Sequence, residues 1–206
     1  MDCNGDLLVN DELAAFQKVN LPELEGINFD EPYAGIIGAM SLLKVENSHL
    51  KLGISIGGPS RRGSFSEISG NELKRQNLAI NLAKFIYHVG FDFIDINLGT
   101  RDANGIESVE DFPGNKDDSD NFILLLQEIR SELNDKQEDG RIYELSVTLS
   151  SLPEKLAKIK YDKILQFVNF TNLITYDLKG AWNSYTAHQE PLYTNKAFDQ
   201  DIMPEA

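Results

Sequence analysis

Apolar runs alternate with amphipathic stretches along the chain from residue 49 onward. Runs rich in β-branched and aromatic residues predict four strands, which cover residues 49–58, 90–100, 142–151 and 167–180. Apolar residues at helical spacing predict the elements between them, namely helices over 69–90 and 121–133 and a helix that begins at Pro153. Because strands apolar on both faces alternate with helices, the pattern predicts an α/β fold with a parallel sheet covered by helices.

The longest predicted helix, over residues 69–90, carries signals for both of its ends. Ser69 or Asn71 can accept the hydrogen bond that caps its start, and Gly90 can adopt the left-handed conformation that ends a helix. Its apolar stripe consists of Leu78, Leu82, Phe85 and Ile86. Ahead of the first strand, residues 34–47 predict another helix, which leaves the first 45 residues without a clear strand.

Polar residues interrupt the second predicted strand, GFDFIDINLGT (90–100). Asp92, Asp95 and Asn97 follow one another closely among apolar neighbours. Barrels and open α/β sheets place their sites at the carboxyl ends of parallel strands. The pattern therefore predicts a site at this end of the sheet, with the long polar loop 101–120 as a further candidate surface.

The charge and composition of the chain argue against several classes of function. The 206 residues carry a formal net charge of −14, and a surface this negative repels phosphate backbones and anionic lipids, so we expect neither a nucleic acid nor a membrane as partner. Cys3 is the only cysteine, which excludes an internal disulfide. His49, His88 and His188 lack metal-ligand spacing, so no metal or other cofactor is expected.

The first ten residues, MDCNGDLLVN, are acidic and lack the basic start and apolar core of a signal peptide. This leaves the location of the protein open.

Four segments, taken in order, resemble the catalytic domain of glycoside hydrolase family 18, the chitinases. LGISIGG places Ser55, Gly57 and Gly58 on the family's SxGG strand, and FDFIDINLG (91–99) occupies its DxxDxDxE strand. Residues 172–193 are similar to its MxYD segment and the loop beyond, and residues 117–133 match the helix between. The similarity covers about residues 2–193.

The resemblance implies a (β/α)8 barrel, of which this chain supplies strands three to six, with the domain over 1–195 and an acidic tail over 196–206. A complete barrel typically takes about 250 residues. A partial TIM barrel has two open sheet edges, here 49–58 and 167–180, and we expect it to expose an apolar interior. Open edges pair or aggregate, so a second copy or another protein chain is expected to complete the barrel.

The resemblance also implies where the chemistry is lost. In this family a glutamic acid protonates the glycosidic oxygen, the substrate's own acetamide attacks, and an aspartate stabilises the resulting cation. Asp92 and Asp95 stand at the first two aspartate positions, but Asn97 stands at the third and Gly99 replaces the glutamate. The family members are usually secreted, and the motif residues Ser55, Gly57, Gly58 and Asp92 are expected to be structural.

Positions that contact the sugar in the family are partly kept. The expected substrate-binding residues are Asp95, Asn97, Tyr176, Asp177 and Trp182. The leading hypothesis is a protein without hydrolytic activity that binds chitin or another N-acetylglucosamine glycan, or serves in assembly. The alternatives are an active chitinase with a substitute acid, such as Glu107 or Glu110, or with a partner's residues, and a structural subunit of a larger secreted toxin-like complex.

Overall fold

The structure is a computed structural model that describes most of the chain from residue 35 to residue 193 and parts of the N-terminal segment. The described residues are 1–2, 4–9, 11–17, 35–57, 65–98, 116–137, 140–181, 183 and 186–193. Among the positions singled out above, Gly58, Gly99, Glu107, Glu110, Trp182 and the tail 196–206 lie outside the described residues.

The four strands form one sheet in which every neighbouring pair is parallel. Their order in the sheet is their order in the chain: β1 Gly53–Gly57, β2 Phe93–Asn97, β3 Glu144–Ser150 and β4 Phe170–Ile174. Each strand is joined to the next by helical segments, as in a (β/α) barrel. The expected partial barrel of parallel strands with covering helices is confirmed.

Helices precede, link and cover the strands. They are α1 Ile36–Glu46, α2 Phe65–Ser69, α3 Glu72–Val89, α4 Asp118–Asp135, α5 Pro153–Leu156 and α6 Tyr161–Ile164, and a short π-helical segment covers Leu13–Gln17. In the part of the chain that the structure describes, no helix combines the length and the apolar character needed to cross a bilayer.

Two of the predicted end signals of α3 are confirmed, one at each end of the helix. The Asn71 side chain accepts a hydrogen bond from the Lys74 backbone N–H at 3.1 Å, which caps the start of the helix. Gly90 ends the helix in the left-handed conformation, with φ of 76°. Ser69 instead ends the separate helix α2, so the predicted helix 69–90 begins too early by three residues.

Three other predictions about the elements are wrong. Helix α4 begins at Asp118, inside the predicted loop 101–120. Strand β4 ends at Ile174 rather than at residue 180, and Asp177, with φ of 55°, turns the chain out of the extended conformation. The segment after Pro153 forms two short helices instead of one, since α5 ends at Leu156.

The core lies between the sheet and helices α3 and α4. Alternate residues of β2 and β3 lie on this face of the sheet and are fully buried: Ile94, Ile96, Leu145, Val147 and Leu149. The predicted α3 stripe packs in the same cluster, with Leu78, Leu82 and Ile86 completely buried and Phe85 at its margin. This apolar layer holds the sheet and helices together.

The opposite face of the sheet is polar, which corrects the expectation of strands apolar on both faces and of an apolar barrel interior. Its residues are Ser55, Asp95, Asn97, Ser146, Thr148, Ser150 and Asn172, with apolar residues such as Phe93, Phe170 and Ile174 at its ends. Because side chains alternate between faces along a strand, the ELSVTLS sequence of β3 divides cleanly into an apolar face toward the helices and a polar face toward the barrel interior.

Candidate functional site

Asp95 lies at the centre of the polar face and is hydrogen-bonded to the other three strands. The Ser55 hydroxyl of β1 and the Thr148 hydroxyl of β3 each donate to Oδ2 at 2.8 Å. The Ser146 hydroxyl donates to Oδ1 at 2.8 Å, and the Asn172 amide of β4 donates to the same oxygen at 3.3 Å. A carboxylate offers about four lone-pair positions, so these four donors occupy the acceptor capacity of Asp95.

The strand register explains why these residues meet. Ser55, Asp95 and Ser146 are directly paired across the first three strands. Thr148 and Asn172 are paired with each other one step further toward the carboxyl ends, within diagonal reach of Asp95. Asp95 is 5% exposed, so its carboxylate is a buried link between strands as well as a member of the predicted site.

Asn97 and Gly57 form the next layer toward the carboxyl ends of the strands. They are paired in register, and Asn97 also pairs with Thr148. Gly57 has φ of 110°, and a Cβ there would lie 2.2 Å from the Asn97 backbone oxygen and 2.9 Å from the Phe65 ring. This position therefore requires glycine, and its close approach brings the ends of β1 and β2 together.

Tyr176 and Asp177 lie beyond the end of β4. The Tyr176 side chain is 52% exposed. Asp177 accepts a hydrogen bond from the Gln189 side chain, and the Leu178 backbone N–H donates to the Gln189 backbone oxygen at 3.1 Å. In the described part of the chain neither residue is a hydrogen-bond partner of Asp95, so they form a separate exposed rim after β4.

Asp92 lies at the amino-terminal end of the sheet, away from the predicted site. Its Oδ2 accepts a hydrogen bond from the Leu52 backbone N–H at 2.7 Å, and its Oδ1 pairs with Lys44 Nζ at 2.5 Å. Arg141 approaches the same Oδ1 at 3.7 Å. These contacts tie the start of β2 to the residues around it, which is a structural role.

Arg130 links the starts of β3 and β4 in a similar way. Its guanidinium donates to the backbone oxygens of Tyr143 and Phe167, each at 2.9 Å, and to Asn169 Oδ1 at 2.5 Å. Burial lowers the pKa of Arg130 below its ordinary value, because desolvation penalises the charged form. The amino-terminal end of the sheet is thus held by charged groups satisfied within the chain.

Of the four donors to Asp95, the sequence pattern had indicated only Ser55 as a motif residue. Ser146 and Thr148 had a usable signal, because they alternate with leucine and valine in ELSVTLS. Asn172 has no such signal, since it becomes a neighbour of Asp95 only through the register of β3 with β4. Among the described residues no group of three or more His, Cys, Asp or Glu side chains is placed to hold a metal ion.

The model of the glycosyl hydrolases family 18 matches residues 10–203. The chain belongs to this family. Among its relatives, Chitinase A1 of Niallia circulans is 30% identical over 182 residues, which cover 88% of this chain and 26% of that protein. A chitinase of the Autographa californica nuclear polyhedrosis virus is 32% identical over 192 residues, covering 90% of this chain and 33% of the viral protein.

Solved structures agree with this assignment. Chitinase ChiA74 from Bacillus thuringiensis matches with a TM-score of 0.80 and 29% identity, over 93% of this chain and 31% of that one. The chain thus spans about a quarter to a third of the length of these family 18 relatives.

Proposed function

We propose that this family 18 chain binds an N-acetylglucosamine-containing glycan such as chitin without hydrolysing it. The observation that carries the proposal is glycine at position 99, where the family pattern has the proton-donating glutamate. Glycine has no proton to donate, and a positioned general acid typically contributes about 10²–10⁴ in rate.

Two other residues of the strand motif support the loss of catalysis. Asn97 replaces the third aspartate with a neutral amide, which removes a negative charge that could stabilise a cationic intermediate. The neighbouring Asp95 carboxylate accepts four hydrogen bonds from Ser55, Ser146, Thr148 and Asn172. A carboxylate that accepts four hydrogen bonds stabilises the sheet and is a poor substitute for a general acid positioned beside the glycosidic oxygen.

The exposed side chains beyond the end of β4 support glycan binding. Tyr176 presents half of its surface beyond the end of β4, and aromatic rings with a polar tip suit a ligand that has both apolar and hydroxylated faces. The relatives named above are chitinases, so the N-acetylglucosamine polymer is the first ligand to test. Asp177, fixed by Gln189, offers a carboxylate next to this ring.

The purified 206-residue chain is expected to release no 4-nitrophenol from 4-nitrophenyl chitobioside, because the general acid is missing. Chitinase A1 of Niallia circulans in the same buffer is the positive control. Turnover by the wild-type chain that disappears in Glu107→Gln would contradict the proposal and establish a substitute acid. Turnover that survives Glu107→Gln and disappears in Glu110→Gln would do the same for the second loop carboxylate.

The Tyr176→Ala variant is expected to bind soluble chitohexaose about two- to tenfold more weakly than the wild type, taking for the lost ring contact the energy of an aromatic pair, about 0.5–1.5 kcal/mol. Isothermal titration calorimetry measures the change. Tyr87→Ala is the matched control, because Tyr87 is also an exposed tyrosine but lies on α3, in the helix layer. Equal affinities for all three proteins would remove Tyr176 from the site, and no binding by any of them would favour a purely structural subunit.

A further inference from the structure

The chain leaves β4 through a backbone conformation that is unfavourable for the residue that adopts it. Among the residues that the structure describes, Asp177 is the one non-glycine residue with a positive φ, of 55°. The left-handed region is strained for an L-residue, although aspartate and asparagine tolerate it better than most. Such a conformation persists only where its surroundings hold it, and it is common at binding sites. The contacts that hold Asp177 therefore bear on the site beside it.

Gln189 supplies the contacts that hold Asp177. Its side-chain amide donates a hydrogen bond to the Asp177 carboxylate, and its backbone oxygen accepts one from the Leu178 N–H at 3.1 Å. The contact between the two side chains is charge-assisted, which makes it stronger than a hydrogen bond between neutral groups. Asp177 and Gln189 are both exposed, so these hydrogen bonds, rather than burial, close the base of the loop that runs from residue 177 to residue 189.

The loop has internal order between its two ends. The structure describes it at residues 177–181, 183 and 186–189. The Gly180 N–H donates to Asn183 Oδ1, and the Asn183 N–H donates to the Gly180 backbone oxygen, each at 3.0 Å. Lys179 is only 2% exposed, whereas Gly180 beside it is exposed. The burial of Lys179 indicates that this part of the loop is folded against the protein rather than extended into solvent.

Tyr176 lies between the base of this loop and a second fixed point at the end of β4. The Ser151 N–H and hydroxyl donate to the Ile174 backbone oxygen at 3.3 and 2.6 Å, which ties the last residue of β4 to the segment after β3. Two residues separate Ile174 from Asp177, and the exposed Tyr176 is the second of them. The backbone that carries the Tyr176 ring is therefore held from both sides.

We propose that Gln189 is a positioning residue for the glycan site. By holding Asp177 in its left-handed conformation, the Gln189 amide sets the direction in which the backbone leaves Tyr176, and so presents the Tyr176 ring to the glycan in one orientation. The inference rests on the proposed function, in which Tyr176 contacts the glycan. A side chain that is ordered before the ligand arrives loses less freedom on binding. Gln189 therefore strengthens binding through Tyr176 and without touching the ligand itself.

Gln189→Ala is expected to open the base of the loop. Trypsin cleaves after lysine, so opening is expected to speed cleavage after the buried Lys179 about three- to tenfold, because cleavage follows the population of the open form. Mass spectrometry separates this cut from the cut after Lys158, an exposed lysine between α5 and α6 that serves as the internal reference. The same variant is expected to bind chitohexaose about three- to tenfold more weakly in calorimetry, because binding must then order the Tyr176 ring.

Gln189→Glu tests whether the hydrogen bond itself does the positioning. An ionised glutamate cannot donate to the Asp177 carboxylate and repels it, whereas a protonated glutamate can donate. Relative to the wild type at the same pH, the dissociation constant of this variant is expected to be about three- to tenfold higher near pH 7 and nearly equal near pH 4, where carboxylic side chains ordinarily become protonated. Adding Asp177→Asn exchanges donor and acceptor, and is expected to restore the protection of Lys179 near neutral pH.

Gln76→Ala and Gln76→Glu are the matched controls. The exposed Gln76 also donates its side-chain amide to a carboxylate, that of Glu72 at 3.4 Å, but both residues lie on α3 in the helix layer. These variants are expected to leave the cleavage after Lys179 and the affinity for chitohexaose unchanged at either pH.

Two results would overturn the inference: cleavage after Lys179 that is as slow in Gln189→Ala as in the wild type, and a relative affinity of Gln189→Glu that does not change with pH. A wild type that binds chitohexaose, with the same affinity in Gln189→Ala, overturns only the positioning role. A wild type that binds none overturns the proposed function, and the trypsin result then decides alone whether Gln189 holds the loop.

Discussion

Replacing Asp95 with leucine is expected to lower the free energy of unfolding by about 3 kcal/mol, since each buried donor left without a partner costs about 1–3 kcal/mol. Leucine has nearly the shape of aspartate but accepts no hydrogen bond. The change would leave the fully buried Ser146 hydroxyl and the buried Thr148 hydroxyl without their acceptor, together with Ser55 and Asn172. Urea denaturation followed by circular dichroism, at one protein concentration for all variants, measures the loss.

Asp95→Asn separates hydrogen bonding from charge. Its amide keeps one accepting oxygen, and its NH₂ group can donate to hydroxyl oxygens that rotate to accept. We expect this variant to lose about half as much stability as the leucine variant, within the range of ordinary hydrogen-bond changes. Equal stability of Asp95→Leu and the wild type would show that the links from Asp95 to β1, β3 and β4 do not hold the sheet together.

Gly57→Ala is expected to destabilise the protein by about 3 kcal/mol or more, because an unfavourable backbone conformation alone costs about 1–3 kcal/mol and a steric clash adds to it. With φ of 110°, the new Cβ would lie 2.2 Å from the Asn97 backbone oxygen. Backbone atoms cannot rotate aside, so the carboxyl ends of β1 and β2 would have to move apart. Thermal and urea unfolding measure the effect.

Gly90→Ala provides the matched control for this prediction. Gly90 also has a positive φ, of 76°, but a Cβ there would have no atom within 4 Å. Alanine at this position carries only the left-handed penalty, about 1–2 kcal/mol. If the two alanine variants lose the same stability, the contact between Gly57 and Asn97 is not the constraint that the geometry indicates.

Much of the fold could be predicted because its signals are local. The capping side chain of Asn71, the left-handed Gly90 and the helix start at Pro153 act within one turn of chain, so they can be read directly from neighbouring residues. The end of β4 could not be read in this way. Thr175, Tyr176 and Leu178 continue the strand-favouring pattern of β4. Asp177, however, takes a left-handed conformation, and its side chain is hydrogen-bonded to Gln189, twelve residues away.

The candidate site also contains one residue that could be predicted from local sequence and others that could not. Asp95 could be predicted from its place in a strand motif, and the structure puts it at the centre of the polar face. Its donors come from strands 40 to 77 residues away, and the register that selects them is a property of the assembled sheet. The polar face itself was misread because the apolar residues of each strand dominate its pattern, although the period of two in ELSVTLS was present.

The match between strand order and chain order bears on how the protein is made. In the part of the chain that the structure describes, each of β2, β3 and β4 pairs with the strand that comes just before it, so each leaves the ribosome when its earlier neighbour is already present. The sheet can then grow in one direction, one strand and its helices at a time, during synthesis at about 5–20 residues per second. Each of these pairings closes a loop of only one strand–helix unit.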